Sequence, residues 1–426
     1  MIYDLVVIGA GPGGYVSAVA AAKRGLKTAI IYHGEAGGNC LHWGCIPTKS
    51  LLHDGDGDRK NRVVKRLSMA IENLIKENKI DAYLGWGKII EKTSDLIKLG
   101  VETGSEVLPV QAKKVLLATG TKPRVAPFKK SDKVITSDEL LQLKQLPETM
   151  AVIGAGAVGL EFAQYLSEMK VKVTVIEMAE QILPGEDRDV AELLQKCLER
   201  KKIKFILGQK IQDLSETQKI SLTLDSKKIE VDQVLVATGR QFNNSEFEKS
   251  GIKLGARGEV QVDAHFETSL PGVFAVGDMI GKELLAHASI HQGLKVVDQI
   301  SGIKSEAMGA VPACLYTNPE VAGVGLKEKN IKEGQAVSKF QLNHLGKMQA
   351  IAENEGFVKL IYDQKSGVIL GVSMIGPHVS EMAGYAALLV DKKITVQELA
   401  RTIHPHPTVS EGIWEAAMSA AGLGIH

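Results

Sequence analysis

The stretch DLVVIGAGPGGYVSAVAAAKRGLKTAIIY, residues 4–32, joins an apolar run, a glycine-rich turn, an alanine-rich segment and a second apolar run. The outer runs read as buried strands and the middle segment as a helix. Between the first strand and the helix, Gly9, Gly11 and Gly14 stand in the spacing G-x-G-x-x-G. Glycines at such a turn let the backbone approach a pyrophosphate, which the helix N-terminus attracts. The same order returns in MAVIGAGAVGLEFAQYLSEMKVKVTVIE, residues 150–177, with Gly154, Gly156 and Gly159. This internal repeat implies two domains that each bind a dinucleotide.

In such a unit the second strand ends near a carboxylate that accepts both ribose hydroxyls. Counting 23 residues past the first glycine reaches Glu177 in the second unit. A carboxylate there repels a 2′-phosphate, so this unit is expected to take NAD rather than NADP. The same count in the first unit reaches Tyr32. Tyr32 reads either as a plain strand residue or as a departure for which Glu35, in the following loop, substitutes. Two more apolar strands, VLLATGTKP (115–123) and VLVATGRQF (234–242), end in A-T-G, and TSLPGVFAVGDMIG (268–281) ends in Gly277–Asp278. An exposed acid just past a buried strand either binds sugar-like hydroxyls or caps a helix.

The length of 426 residues exceeds a single core and implies two to four domains. A net charge of +1 leaves no electrostatic footprint for nucleic acid or a membrane surface. Four cysteines are too few for a secreted disulfide scaffold and fit a reducing compartment. No basic stretch precedes the first apolar run, and no run is long enough to cross a bilayer, so a cytoplasmic protein is expected.

Two of the cysteines, Cys40 and Cys45, lie in GGNCLHWGCIPTK, residues 37–49. In a regular helix, positions five apart are separated by at least ~7.5 Å, beyond the ~6.8 Å Cα limit for a disulfide. Gly37, Gly38, Gly44 and Pro47 predict instead an irregular turn that brings the sulfurs together and leads into a helix opening near Pro47. Zinc is disfavoured because a structural site wants four ligands and the chain has no second cysteine pair; no metal is expected. Cys197 and Cys314 read as buried fillers, and His42 as a loop side chain.

Two dinucleotide units, the C-x-x-x-x-C between them and the strings ATG and AVGD together resemble the flavin- and pyridine-nucleotide-dependent disulfide reductases. The segments YTNPEVAGVG (316–325), EGFVKLIYDQKSGVILGVSMIGP (355–377) and LARTIHPHPTVSE (399–411) narrow the resemblance to the dihydrolipoamide dehydrogenase family, over nearly the whole chain. It implies FAD on the first unit, NAD on the second, and oxidation of protein-bound dihydrolipoamide to lipoamide by a homodimer. The partner implied is a lipoyl-bearing carrier protein or lipoyl domain, with no nucleic acid and no membrane. By this resemblance Cys40 is the interchange thiol that meets the external dithiol, and Cys45 the thiol lying against the flavin. His406 is the catalytic base and Glu411 the carboxylate that orients it, both reaching the thiols from the partner subunit. Lys49 and Glu161 form an ion pair beside flavin and nicotinamide, Asp278 holds the ribityl chain, and His287 lies in a flavin-adjacent turn. The remaining cofactor contacts fall to Thr119, Gly120 and Gly239 of the A-T-G strings and to the six turn glycines. His404 and His406 are two residues apart in a proline-rich turn, and the choice of His406 rests on the alignment. Two other readings stay open: an NADH-dependent flavin disulfide reductase or diaphorase with another dithiol substrate, and a flavin-poor assembly subunit.

The expected fold is α/β, with two Rossmann-like dinucleotide-binding domains plus a C-terminal α+β dimerisation domain. We divide the chain into an FAD-binding domain (1–145), an NAD-binding domain (146–263), a central segment completing the FAD domain (264–307) and an interface domain (308–426). Alternating strand patterns in FVKLIYD and VILGVSMIG, then a helical EMAGYAALLVDKK, support the last of these. HDGDGDRKN (53–61) reads as a poor helix former, followed by the amphipathic run VVKRLSMAIENLIKEN (63–78). Against the family's usual layout the chain is an atypically short member, lacking about two dozen residues here by resemblance, a loss that either opens the approach to Cys40 or simply trims a surface helix.

Overall fold

The computed structural model of the chain describes residues 1–242, 244–304 and 306–425. Contacts divide it into two units, Met1–Arg124 with Gly239–Met308, and Val125–Thr238 with Gly309–His426.

The first unit opens with β1 (Ile2–Ile8), α1 (Pro12–Lys23) and β2 (Thr28–Tyr32), and β1 pairs β2 in parallel. Next come α2 (Gly38–His42), α3 (Cys45–Asp54) and α4 (Gly57–Glu77). β3 (Asp81–Leu84), β4 (Trp86–Lys92), β5 (Ile97–Glu102) and β6 (Val107–Leu117) follow. The sheet runs β3-β2-β1-β6-β5-β4, and the strand Val273–Ala275 returns to pair in parallel with β6. The right-handed crossover rule for parallel strands puts α1 on one face, where it meets the helix Ala286–Ile300. The two helices approach at small residues, because a Cβ on Gly293 would lie 2.1 Å from Ser17 Oγ and one on Gly13 3.1 Å from the Ser289 carbonyl. The core is an aliphatic block from β1, β2, β5, β6 and the returning strand.

The polar stretch 53–61 is more helical than its composition predicts. α3 runs on to Asp54, Gly55 closes it in the left-handed conformation (φ 72°), and Asp56 at once caps α4 by accepting from the backbone N–H of Asp58 and Arg59 at 2.9 and 3.0 Å. Such a cap is worth ~1 kcal/mol and starts the helix six residues before the amphipathic run. The interruption is therefore only Gly55–Asp56. Likewise α3 opens at Cys45, with Pro47 inside its first turn rather than at its start.

The second unit holds a parallel sheet ordered Lys204–Ile206, Lys172–Ile176, Thr149–Ile153, Gln233–Val236 and Val134–Ile135. An antiparallel meander of Ile211–Glu216, Ile220–Leu224 and Lys228–Val231 closes over it with a shared aliphatic core. The C-terminal part is an antiparallel five-stranded sheet, ordered Ala313–Leu315, Glu320–Gly325, Ile369–Gly376, Phe357–Asp363 and Gln335–Gln341. The helices Ala383–Asp391, Val396–Ala400 and Glu411–Ala420 bury their apolar faces on it. This is the α/β-plus-α+β architecture the sequence pattern predicts. Among the described residues no helix is long and apolar enough to cross a membrane.

One charged knot ties the antiparallel C-terminal sheet to the start of the helix Arg188–Arg200. Lys359, on a central strand and 1% exposed, sits 2.9 Å from Asp187, 2.8 Å from Asp189 and 2.6 Å from Glu328. The three carboxylates cluster as metal ligands would, but the lysine ammonium supplies the cation. Burial disfavours its charge, the hydrogen bonds it donates to Asp189, Glu328 and Asp187 outweigh that, and its pKa is pushed up to about 12. Removing one partner strands buried charge, so Lys359→Met is expected to cost ~3–5 kcal/mol in denaturant melts at pH 7. Because the folded value lies above the unfolded one, this stabilisation is complete below about 10.5 and lost as pH rises through about 12. The parent chain should therefore lose stability over that window, and the variant should not show this loss.

Candidate functional site

The first unit gathers Gly9, Gly11, Gly14, Cys40, Cys45, Lys49, Thr119, Gly120, Gly239, Asp278 and His287; the second gathers Gly154, Gly156, Gly159, Glu161, Glu177, His406 and Glu411.

In each unit the glycine turn leaves the end of a parallel strand and enters a helix. Gly9 (φ +107°) and Gly154 (φ +104°) adopt a backbone that side chains rarely take, and a Cβ would lie 2.3 Å from the Ala118 carbonyl or 2.6 Å from that of Ala237. The middle glycines differ. A Cβ on Gly156 meets nothing within 4 Å, whereas Gly11 faces only Gly38 Cα at 3.9 Å. These positions are small not for internal packing but to leave room over the helix N-terminus, the space a pyrophosphate needs. Glu177 closes the second turn, its two carboxylate oxygens accepting from the Ala155 N–H at 2.8 Å and the Ala179 N–H at 3.0 Å. That holds the carboxylate beside the turn, where a ribose diol reaches it.

The irregular segment expected around the thiols is present. Cys40 lies in the one-turn α2, Trp43 and Gly44 break the helix, and Cys45 is the first residue of α3. The pair stands as two thiols in hydrogen-bonding reach, Cys40 half-buried and Cys45 exposed. The Cys40 thiol is held far above the ordinary thiol range, first by its side-chain hydrogen bond to Cys45, then by burial and the negative charge Cys45 carries as a thiolate; Lys49 opposes the shift.

Asp278 is not an exposed acid past the strand. It lies largely enclosed in the 3₁₀ turn Gly277–Ile280, makes no cap, and accepts from Thr121 Oγ1 at 3.1 Å. Burial raises its carboxyl above the usual range, against the pull of Arg240 and Thr121. Arg240 in turn donates to Thr121 Oγ1 (2.9 Å) and to the Thr121 carbonyl (2.8 Å), which also accepts from Asn39. Thr121, Arg240 and Asn39 were missed in the sequence. Their signal was the repeated A-T-G, since Thr121 and Arg240 each directly follow one copy. A two-residue antiparallel ladder, Lys122–Pro123 with Arg240–Gln241, brings the copies together. Gln292, also missed, is buried and accepts from the Gly277 N–H at 2.8 Å. Thr119 donates to Met279 Sδ at 3.6 Å, and Gly120 and Gly239 take positive φ at their strand ends. His287 is exposed in the first turn of the helix Ala286–Ile300 rather than in a turn before it.

In the second unit Glu161 is buried and accepts from the Tyr316 N–H at 3.0 Å, while Gln164 accepts from the Asn318 N–H at 2.7 Å. The two histidines separate by geometry. His404 Nδ1 lies 2.9 Å from the Thr402 carbonyl and Nε2 3.1 Å from the Tyr385 hydroxyl, so both nitrogens are spent inside the fold. His406 Nδ1 lies 2.9 Å from Glu411 Oε1, whose other oxygen accepts from the Thr408 N–H at 2.9 Å. The carboxylate fixes the proton on Nδ1 and leaves Nε2 as the basic atom of a side chain that is 72% exposed.

Residues 3–293 match the family described as pyridine nucleotide-disulphide oxidoreductase, and residues 311–417 match its dimerisation domain. The chain belongs to this family: it is an oxidoreductase of the NAD-linked disulfide class, using FAD and NAD(H). Among curated proteins it is 36% identical to a dihydrolipoyl dehydrogenase of Bacillus subtilis, covering 100% of this chain and 99% of the relative. It is 34% identical to the mitochondrial dihydrolipoyl dehydrogenase 1 of Arabidopsis thaliana, over 99% and 91%. The Bacillus alignment extends over 472 positions against 426 residues here, so the relative carries segments this chain lacks. Among solved structures it resembles the HOCl-induced flavoprotein disulfide reductase RclA of Escherichia coli, with TM-score 0.89, 28% identity and coverage of 96% and 98%. LpdA of Mycobacterium tuberculosis gives TM-score 0.91 at 26% identity, over 97% and 99%.

A raised carboxyl makes its stabilising contribution below its unfolded value of 3.8 and loses it as pH rises through the folded value. The flavin-free Asp278→Asn protein is therefore expected to lose less stability than the parent between pH 4 and neutrality, measured by denaturant midpoints at each pH.

Proposed function

We propose that the chain is a dihydrolipoyl dehydrogenase, oxidising protein-bound dihydrolipoamide to lipoamide and passing two electrons through Cys40 and Cys45, then FAD, to NAD. The observation that carries this reading is the His406–Glu411 pair, a base oriented on one nitrogen and open on the other, in a chain that also holds a hydrogen-bonded thiol pair. The full-length likeness to dihydrolipoyl dehydrogenases supports it. We assign the active form to a homodimer, which the dimerisation domain supports, with the partner subunit's His406 serving each thiol pair. We assign the segments 1–145, 146–263, 264–307 and 308–426 to flavin, NAD, flavin completion and subunit interface, although contacts group 125–145 with the second unit and 239–263 with the first. A reducing cytoplasm is the compartment four cysteines suit best.

In this reading His406 Nε2 takes a proton from one substrate thiol, and the resulting thiolate attacks the sulfur of Cys40 in the oxidised pair. The Cys40–Cys45 bond breaks and Cys45 leaves as thiolate, favoured by its place at the start of α3. The second substrate thiol attacks the mixed disulfide, lipoamide departs with its own disulfide formed, and Cys40 receives the proton. The flavin, when bound, supplies two-electron transfer from this dithiol to nicotinamide. The turn glycines Gly9, Gly11 and Gly14 with Thr119, Gly120, Gly239, Asp278 and His287 hold the flavin; Gly154, Gly156, Gly159 and Glu177 hold NAD. Lys49 serves the flavin side of the electron path and Glu161 the nicotinamide side.

The structural likeness to RclA favours a second reading, NADH-driven reduction of another disulfide or oxidant. Steady-state assays with a lipoyl domain and NAD decide between them, and no NADH formed from reduced lipoyl domain overturns the first. Cys45→Ser is expected to keep its flavin absorbance while dihydrolipoamide oxidation falls at least about a thousandfold. His406→Gln should slow the dithiol half-reaction by ~10²–10⁴ and leave flavin reduction by NADH near the parent rate; equal losses in stopped flow contradict the assignment. Glu177→Arg is expected to shift the NAD-to-NADP ratio of kcat/KM by at least about tenfold toward NADP, and an unchanged ratio removes Glu177 from coenzyme choice.

A further inference from the structure

We propose that the adenosine end of the FAD is held without a strand carboxylate: the Tyr32 hydroxyl engages the ribose, and the stacked Trp86–His33 pair flanks the adenine. The argument starts from the internal repeat. In the second unit the residue after the second strand is Glu177, whose carboxylate is held over the glycine turn through Ala155 N–H. The corresponding place in the first unit is Tyr32, the last residue of β2, 8% exposed and packed into the core beside the turn. Glu35 does not restore the missing acid: its carboxylate lies 3.6 Å from His42 Nδ1 on α2, at the solvent edge.

What surrounds Tyr32 is aromatic and apolar. Its carbonyl accepts from the Gly85 N–H at 2.8 Å, tying the end of β2 to the corner between β3 and β4. A Cβ on Gly85 would lie 2.4 Å from the Glu102 carbonyl, and one on Gly87 3.0–3.2 Å from the side chains of Ile8 and Ile31. These two glycines draw the corner down onto the carboxyl ends of β1 and β2, the edge of an open α/β sheet at which ligands bind. Trp86 stands between them, 54% exposed, with its ring stacked on His33 at 4.6 Å and 19°. Leu84 adds a second exposed apolar side chain at the same corner. A large indole left in solvent at the ligand edge of a sheet is a surface for a flat heterocycle, as bases stack on aromatic side chains. Burial and the charge of Glu72 on α4 keep the Tyr32 phenol protonated above its ordinary range, so it remains a hydrogen-bond donor at any working pH.

The test is equilibrium binding of FAD and of FMN to flavin-depleted protein, followed by flavin fluorescence. It does not depend on the dithiol substrate, so a chain inactive toward dihydrolipoamide leaves it intact. Tyr32→Phe is expected to weaken FAD by about 2- to 10-fold, one neutral hydrogen bond. Trp86→Ala should weaken it by about 5- to 100-fold, one stacked base, and Trp86→Phe should recover most of that. FMN, which lacks the adenosine, should bind all variants as it binds the parent. Unchanged FAD affinity in Trp86→Ala, or equal losses for FAD and FMN, overturns the proposal. Trp86 is exposed and its truncation leaves the core untouched, so the Trp86 pair decides the matter even where Tyr32→Phe fails to fold.

Discussion

The contact on which both nucleotide units depend is the approach of a helix to the strand that precedes it. A Cβ on Gly14 would sit 1.9 Å from the Gly9 carbonyl oxygen, and one on Gly159 2.0 Å from that of Gly154. No side chain fits either place, so strand end and helix start form one rigid corner whose first N–H groups point at the space above the turn. In the first unit this corner also places the thiols. The Gly37 N–H donates to the Ala10 carbonyl at 2.9 Å, and a Cβ on Gly38 would strike Gly11 Cα at 2.6 Å. Cys40 is thus two residues from a backbone contact with the turn itself. The distance between phosphate cradle and redox pair is set by main-chain packing rather than by adjustable side chains.

A second constraint is electrostatic. Asp278 is a largely enclosed acid whose charged form is penalised, and Arg240 and Thr121 relieve part of that penalty. Arg240 acts on Asp278 through its charge, and it also fixes the hydroxyl of Thr121 at one end and its carbonyl at the other. The short ladder between residues 122–123 and 240–241 holds both partners in register. A carboxylate kept under-satisfied but oriented is a good acceptor for hydroxyls brought by a ligand, because binding then removes a penalty the fold already carries. Asn39, one residue before Cys40, donates to the same Thr121 carbonyl and ties this acid to the thiol segment.

Much of this was legible in the sequence where the physics is local. Glycine spacing at a strand-to-helix turn, alternation in 357–363 and 369–376, and the irregularity of 37–49 all express constraints within a few residues, and the elements stand where those patterns put them. The short helix break at Gly55–Asp56 was masked because composition over nine residues averages away one left-handed glycine and one capping aspartate. Arg240, Thr121 and Gln292 were missed for a different reason: their partners lie 119 and 15 residues off, and the repeated A-T-G marks where Thr121 and Arg240 stand without announcing that they pair. The Lys359 knot belongs to the same class. A lysine in a run of strand residues reads as solvent-facing until the fold surrounds it with Asp187, Asp189 and Glu328.

The two histidines of the proline-rich turn show how little separates a structural imidazole from an available one. His404 and His406 have the same type of neighbours in sequence, yet Tyr385 and the Thr402 carbonyl consume both nitrogens of the first. Glu411 engages only Nδ1 of the second, and so leaves its Nε2 outside that contact. The thiols divide in a parallel way. The hydrogen bond to Cys45 and burial both oppose ionisation of the half-buried Cys40, whereas Cys45 is exposed at the start of its helix.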